Sequence, residues 1–153
     1  MTRSELWKIH NEAMDLATFA RLGFDPQNGN RVYTEGERKR TIEKALELEK
    51  QAITLVQAKY DQTQDERDKL TETIYSRSAA WLAISAGKFD EAEKIALTAL
   101  ARGAHPADKV KLLAAFFTAL KKQGYHLRSF EEEKPNDLVE VVSERELLQP
   151  FTV

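Results

Sequence analysis

The stretch that decides the fold runs from Ala83 to Ala101 and reads AISAGKFDEAEKIALTALA. A glycine separates two alanine-rich segments, an aromatic residue follows two positions later, and alanines then recur at helical steps. Glycine readily ends a helix in the left-handed conformation, and small residues on a contact face let two helix axes approach closely. The stretch therefore predicts two helices that reverse at Gly87 and cross tightly at Ala92, Ala96 and Ala99.

Start and stop signals predict five helices in all. Three of them begin with a threonine followed three residues later by a glutamate, which is the spacing of a capping box. Pro106 suits the first turn of the last helix, where its missing N–H has no partner to lose. The predicted ranges are 4–22, 35–60, 65–86, 88–102 and a fifth from 106 to the glycine at 124, with capping boxes at Thr2–Glu5, Thr34–Glu37 and Thr63–Glu66.

Apolar residues at 3.6-residue spacing predict which helix faces are buried. In the second helix Glu49 interrupts the apolar stripe, and Leu48 and Leu55 extend the apolar surface sideways, so this helix is expected to contact two neighbours. The stripe predicted to be buried in the third helix consists of Leu70, Ile74, Ser78, Trp81, Leu82 and Ser85.

Composition limits the classes of protein to which the chain belongs. Its 153 residues suffice for one domain with a hydrophobic core. A net charge of −2 gives no general attraction to nucleic acid or to an anionic membrane, and the lack of cysteine excludes disulfides and thiolate chemistry. No apolar run reaches the roughly 20 residues of a membrane span. We therefore expect a cytoplasmic protein.

The pattern changes after residue 124. The run DLVEVV, residues 137–142, is the one strand-like segment, and a charged stretch precedes it. The sequence thus predicts a single helical domain over 1–124 and a partly extended C-terminal tail over 125–153. This tail is expected either to dock on the helices or to be partly mobile.

Between about residues 73 and 106 the chain resembles a tetratricopeptide repeat, a 34-residue pair of antiparallel helices. Gly87, Phe89 and Ala92 follow the order of the family's turn, and small residues stand where its helices meet. The resemblance implies an all-α array of antiparallel hairpins, with a right-handed helical bundle as the alternative. The further matches are Ala80, Ala99 and Leu100, and the departures are Ser76, Ala79, Ala83, Ala96 and a proline at 106 instead of 104.

The resemblance also implies a site. Tetratricopeptide-like proteins bind extended peptides or helices on a concave face made by the first helix of each hairpin, often with basic side chains that hold a carboxylate. Lys69 and Arg77 on the third helix and Lys109 on the fifth are the basic residues expected there. Trp7 lies beside the main apolar stripe of its helix, and exposed aromatic residues of this kind mark partner surfaces.

Catalytic, metal and nucleic-acid motifs are absent from the sequence. The three histidines lack ligand spacing, and the loop DPQNGN carries one carboxylate where calcium requires several. The basic cluster from Arg38 to Lys44 alternates with glutamates, which is typical of a solvated face with i,i+4 ion pairs. We therefore expect no catalytic residue, no cofactor, no metal, no nucleic acid and no membrane partner.

These observations favour a non-enzymatic module that binds another protein or a peptide. Two alternatives stay open. A bundle with a small-ligand pocket, or a bundle enzyme, would contain a buried polar cluster such as Glu49 with His10 or Ser78. A regulatory homodimer would use the two apolar sides of the second helix as its seam.

Overall fold

A computed structural model describes residues 2–25 and 31–124 of this chain, and in these residues the fold is all-α. The described part contains five helices and one isolated antiparallel bridge, between Phe24 and Val32. The predicted tail over 125–153, with its strand-like run, lies outside the described residues, as does the centre of the loop before the second helix. The helices are α1 (Arg3–Leu22), α2 (Glu35–Thr63), α3 (Glu66–Ser85), α4 (Phe89–Ala101) and α5 (Pro106–Lys122).

The helix caps confirm two of the three predicted capping boxes. Thr2 with Glu5 and Thr34 with Glu37 each form both of the reciprocal bonds. The third prediction is wrong, because α2 continues to Thr63 and the chain then turns at Gln64, whose φ of 53° is left-handed. Asp65 caps α3 in place of Thr63 by accepting the amide of Arg67.

The reversal at Gly87 confirms the prediction made from the central stretch. Gly87 has a φ of 76°, and the amide of Lys88 donates to the Ala83 carbonyl across the turn. Ala92, Ala96 and Ala99 are fully or almost fully buried. Ala96 and Ala99 form a cluster with Ala80, Leu112 and Ala115, so one tight crossing joins α3, α4 and α5.

Gly87 should therefore be costly to replace although it has space around it. A Cβ added there would meet no atom within 4 Å, so the cost of Gly87→Ala is the left-handed backbone alone, about 1–2 kcal/mol. Gly36, in the first turn of α2, is the matched control. Its added Cβ approaches only the end of the Arg40 side chain, so Gly36→Ala should be neutral or stabilise by up to about 1 kcal/mol. Urea unfolding measures the free energy of unfolding of both variants. A change of the same size and sign in Gly87→Ala and Gly36→Ala would contradict the prediction.

The five helices pack so that α3 lies at the centre. It contacts α2, α4 and α5 along their backbones, and side chains of α1 reach it as well. Arg3 bonds Asp68 and, two turns farther along both helices, His10 stacks on Tyr75, so α1 and α3 run parallel.

The same argument applies to α3 and α5. Thr73 accepts the amide of His105 at 3.0 Å, and one turn later along each helix Arg77 bonds Asp108 at 2.7 Å. The helices α1, α3 and α5 therefore form one parallel layer.

The second layer consists of α2 and α4, which lie behind the parallel helices. Ion pairs connect these two, Lys50 with Glu91 and Lys88 with Glu43. Leu48 and Leu55 of α2 pack partly against the main core. The fold thus has a front made by α1, α3 and α5 and a rear made by α2 and α4.

The buried face of α3 differs from its predicted stripe. Of the six residues in that stripe only Leu82 is buried, while Trp81 is 38% exposed. Leu70, Ile74 and Ser78 are half-buried and Ser85 is exposed, because the faces of this central helix that contact its neighbours carry mainly small or internally paired side chains. The buried residues of α3 are Asp68, Lys69, Glu72, Thr73, Tyr75, Ser76, Ala79, Ala80, Leu82 and Ala83.

Candidate functional site

A buried histidine–glutamate pair lies where α1, α2 and α3 meet. Glu49 is completely buried, and its two carboxylate oxygens lie 2.7 and 3.0 Å from Nδ1 of His10. The imidazole stacks on the ring of Tyr75 with 4.4 Å between centroids. The sequence brought His10 and Ser78 forward as candidate partners of Glu49, and the structure pairs it with His10.

Burial controls the electrostatics of this pair. It raises the pKa of Glu49, while the hydrogen bond and charge of His10, and more weakly the charge of Arg77, act in the opposite direction. Burial, with a smaller contribution from the Glu49 charge, raises the pKa of Tyr75 to about 12. Tyr75 is therefore a neutral stacking partner near neutral pH.

A second buried carboxylate, that of Asp108, holds the side chain of Arg77. Nε of Arg77 donates to Asp108 at 2.7 Å, and the side chains are 26% and 7% exposed. Neither of the two terminal nitrogens of Arg77 bonds another described residue. His10 and Arg77 are therefore both held from below while part of each side chain faces outward.

Two tryptophans lie one helical turn from His10 and Arg77, respectively. Trp7 is 59% exposed and lies one turn before His10 on α1, whereas Trp81 is 38% exposed and lies one turn after Arg77 on α3. The side of the parallel layer of α1, α3 and α5 that faces away from α2 and α4 is what we call the front face. It is defined by Trp7, His10, Ile74, Arg77, Trp81 and Lys111.

Two of the four predicted partner-binding residues, Trp7 and Arg77, lie on the front face. Lys69 is 4% exposed, and its ammonium lies in a buried cluster. Lys109 is exposed but follows Asp108, which faces α3, and a helix turns by about 100° per residue. This step directs Lys109 toward the side on which Gln123 bonds α4.

Sequence reasoning did not identify Lys111 as part of this surface or Asp108 as the partner of Arg77. Lys111 lies about 60° from Asp108 on the side opposite to Lys109, which places it on the front. No signal in the sequence separates the two lysines, because the choice depends on which face of α5 contacts α3. The contact between Arg77 and Asp108 likewise cannot be predicted from their separation in the chain, because it depends on the register between α3 and α5.

The cluster around Lys69 connects the ends of three helices. Glu72 accepts from Nε of Arg102 at 2.9 Å and from Nζ of Lys69 at 3.3 Å. Lys69 also donates to the Arg102 carbonyl and lies 4.1 Å from the ring centroid of Tyr60. Arg102 pairs with the exposed Asp61 as well, and these contacts raise its pKa. Every charge in the cluster has a partner, so its chemistry is that of a structural anchor.

Within residues 2–25 and 31–124, no group of three histidine, aspartate or glutamate side chains is placed to hold a metal ion. None of the described helices is long and apolar enough to cross a membrane. Two open depressions lie toward the rear. One, of about 440 Å³, is lined by α2 alone, and the other, of about 240 Å³, lies between α2 and α4 with Ser76 among its lining residues.

Comparison with protein-family models, with curated proteins and with solved structures finds no match to this chain.

Proposed function

We propose that this chain is a non-enzymatic interaction module that binds a peptide or helix of another protein on its front face. The exposure of Trp7 and Trp81 on two parallel helices carries the proposal. Tryptophans are enriched among the residues that dominate binding energy at interfaces. The proposal includes a tetratricopeptide-like arrangement of α3, α4 and α5, with the chain reversal at Gly87 as the turn of one hairpin.

Replacing the two tryptophans should remove partner binding and leave the fold intact. Each of Trp7→Ala and Trp81→Ala should weaken capture of the same protein from native cell extract by about 30-fold, which corresponds to about 2 kcal/mol. Leu97→Ala is the matched control, because Leu97 is 50% exposed on α4 of the rear layer. Cross-linking followed by mass spectrometry should place the captured protein beside α1 and α3. Unchanged capture by both tryptophan variants, or cross-links confined to α2 and α4, would contradict the proposal.

A second candidate function is a helical bundle with a small-ligand site between its helices. The pairing of Glu49 with His10 favours it, because this hypothesis requires a buried polar cluster of this kind. The two depressions described above are open and lie toward the rear, and the smaller one is below the roughly 300 Å³ at which ligand pockets begin. The front face therefore remains the better-supported site. A homodimer seam on α2 is less favoured, because Leu48 and Leu55, which would form it, already pack partly against the core.

A further inference from the structure

The chain carries its own candidate occupant for the front face. The tail over 125–153, which lies outside the described residues, contains two short runs rich in apolar residues, LVEVV at 138–142 and LLQPF at 147–151. Complete burial of an apolar side chain of this size is worth roughly 1.5–3 kcal/mol, so contact with an apolar surface is favoured. Among the described residues, Trp7 and Trp81 are the largest exposed apolar side chains, and both lie on the front face.

The charges of the tail and of the front face are complementary. The tail contains seven acidic and three basic residues, a net charge of −4, so the rest of the chain carries +2 of the total of −2. The charged side chains that define the front face, Arg77 and Lys111, are both basic. Arg77 is paired with Asp108, whereas Lys111 forms no ion pair with a described residue. Complementary charge of this kind favours the encounter of an acidic segment with the front face.

The tail leaves the helices at the end of the front face nearer Trp81. The pairing of Arg77 with Asp108 sets Trp81 level with residue 112, so α5 ends at Lys122 about 15 Å beyond Trp81 along the helix axis. Packed helix axes lie about 10 Å apart, so the path from the end of α5 to Trp81 is about 20 Å. Leu138 follows Gly124 by 14 residues, which extend to about 45 Å, so the first run reaches Trp81.

The second run reaches the other tryptophan. Arg3 lies level with Asp68 and His10 with Tyr75, so Trp7 lies level with position 72 of α3. The two indoles are therefore about 14 Å apart along the axes and about 10 Å apart across them, or about 17 Å in all. The runs begin nine residues apart in the chain, a length that spans about 14 Å as a helix and about 30 Å when extended. Their spacing is thus compatible with that of the indoles.

We propose that the tail binds the front face of its own chain, with the run 138–142 on Trp81 and the run 147–151 on Trp7. A partner peptide must displace this segment, so the tail is an autoinhibitory element of the binding surface. This regulatory consequence rests on the proposed function, whereas the contact between tail and front face does not. A tethered segment acts at an effective concentration of about millimolar, which favours the chain's own tail over that of a second copy.

The chain has only two tryptophans, and both lie on the front face, so their fluorescence reports on this surface alone. Two variants of the full-length chain test the contact. The test variant combines Leu138→Ser, Val141→Ser, Leu147→Ser and Leu148→Ser. The matched control combines Ser129→Ala, Asn136→Ala, Ser143→Ala and Gln149→Ala.

The test variant should raise the acrylamide quenching constant of the tryptophans about twofold, because the apolar contact covers part of the 150–250 Å² that an indole can bury. Its emission should also move to longer wavelength. The control should be quenched like the wild type, and circular dichroism should show the same helix content in all three proteins. Unchanged quenching in the test variant, or an equal rise in the control, would overturn the inference. Protection of the indoles that appears only at high protein concentration would also overturn it, since it would place the tail on a second copy.

Capture of the partner from cell extract separates this inference from the proposed function. The test variant should capture the partner about fivefold more strongly, because a competitor that occupies the surface lowers the apparent affinity by the free fraction. Loss of capture in Trp7→Ala and Trp81→Ala together with unchanged quenching would keep the interaction module and reject only the tail contact. Increased quenching in the test variant together with capture that ignores tryptophan replacement would keep the tail contact and reject the partner site.

Discussion

Glu72→Ala should destabilise the protein by about 3–5 kcal/mol, the largest effect we expect from a single substitution. Glu72 is 1% exposed and is the carboxylate partner of both Lys69 and Arg102. Its removal leaves the ammonium of Lys69, 4% exposed, without a counter-charge inside the protein. The Arg102 carbonyl and the Tyr60 ring still contact that ammonium, but neither carries a negative charge. Urea unfolding should show the loss, and thermal unfolding should show a midpoint lower by roughly 10 °C.

Asp61 provides the control for this prediction. It pairs with the same Arg102 at 2.9 Å, but its side chain is 60% exposed. Exposed pairs are worth about 0–1 kcal/mol because water already solvates both charges. Asp61→Ala should therefore change the free energy of unfolding by at most about 1 kcal/mol. Similar losses for Glu72→Ala and Asp61→Ala would show that burial of the cluster does not determine its strength.

The second large effect is a dependence of stability on pH that originates at Glu49. Its pKa in the folded protein lies above the ordinary value of 4.5 because burial disfavours the charged form. Between the two values the folded state binds more protons than the unfolded state, so this group's contribution to stability falls as pH rises. The contribution is complete below about pH 4.5 and is lost as pH rises through the folded pKa, at about 1.4 kcal/mol for each unit of pKa elevation.

Glu49→Gln keeps a hydrogen-bond acceptor for Nδ1 of His10 and cannot titrate. As pH rises above 4.5, the free energy of unfolding of the wild type should therefore fall relative to that of this variant. His10 and Arg77, which lower the pKa of Glu49, and Tyr75, whose own pKa the Glu49 charge raises, are all retained in the variant. Glu47→Gln, 66% exposed on the same helix, should show no such trend. A pH-independent difference for Glu49→Gln would contradict the assignment.

The pH dependence of the wild type must be compared with that of Glu49→Gln, because other carboxylates change the stability with pH in the opposite direction. Hydrogen bonds from Arg67, and then from Arg3, hold the pKa of Asp65 far below its usual range, and the capping boxes lower the pKa of Glu5 and Glu37. Groups with a lowered pKa contribute stability that is present above the unfolded pKa and lost as pH falls. Subtracting the Glu49→Gln curve removes these contributions, which are common to both proteins.

Much of the fold was predictable because it depends on local interactions. Helix ends depend on side chains within four residues of the cap. The five helices and the caps at Thr2 and Thr34 could therefore be predicted from the sequence. The tight crossing at Ala92 and Ala96 was also predictable, since few other patterns place small residues on one helix face. The error at Thr63 arose because both Thr63 and Asp65 are suitable N-cap residues for α3. The left-handed turn at Gln64 ends α2 at Thr63 and leaves Asp65 as the N-cap.

The site was less predictable because it depends on which helices become neighbours. Glu49 was recognisable as an interruption of an apolar stripe, but its partner lies 39 residues away on another helix. The apolar residues of α3 suggested a core stripe, yet only Leu82 of that stripe is buried and Trp81 lies outside the core. Trp7 and Arg77 were chosen from sequence and lie on the front face, whereas Lys69 became part of the buried cluster.

The sequence by itself determined the helices, their ends and the hairpin at Gly87, because those features arise from backbone conformation and contacts between near neighbours in the chain. Only the tertiary structure decided that α1, α3 and α5 run parallel, that Glu49 bonds His10 and Asp108 bonds Arg77, and that the tryptophans share one surface. These features depend on the register between helices, which is fixed by packing among residues distant in the chain. The stretch from Ala83 to Ala101 specifies the single chain reversal at Gly87. The front face forms only when the other four helices pack around α3 in a fixed register.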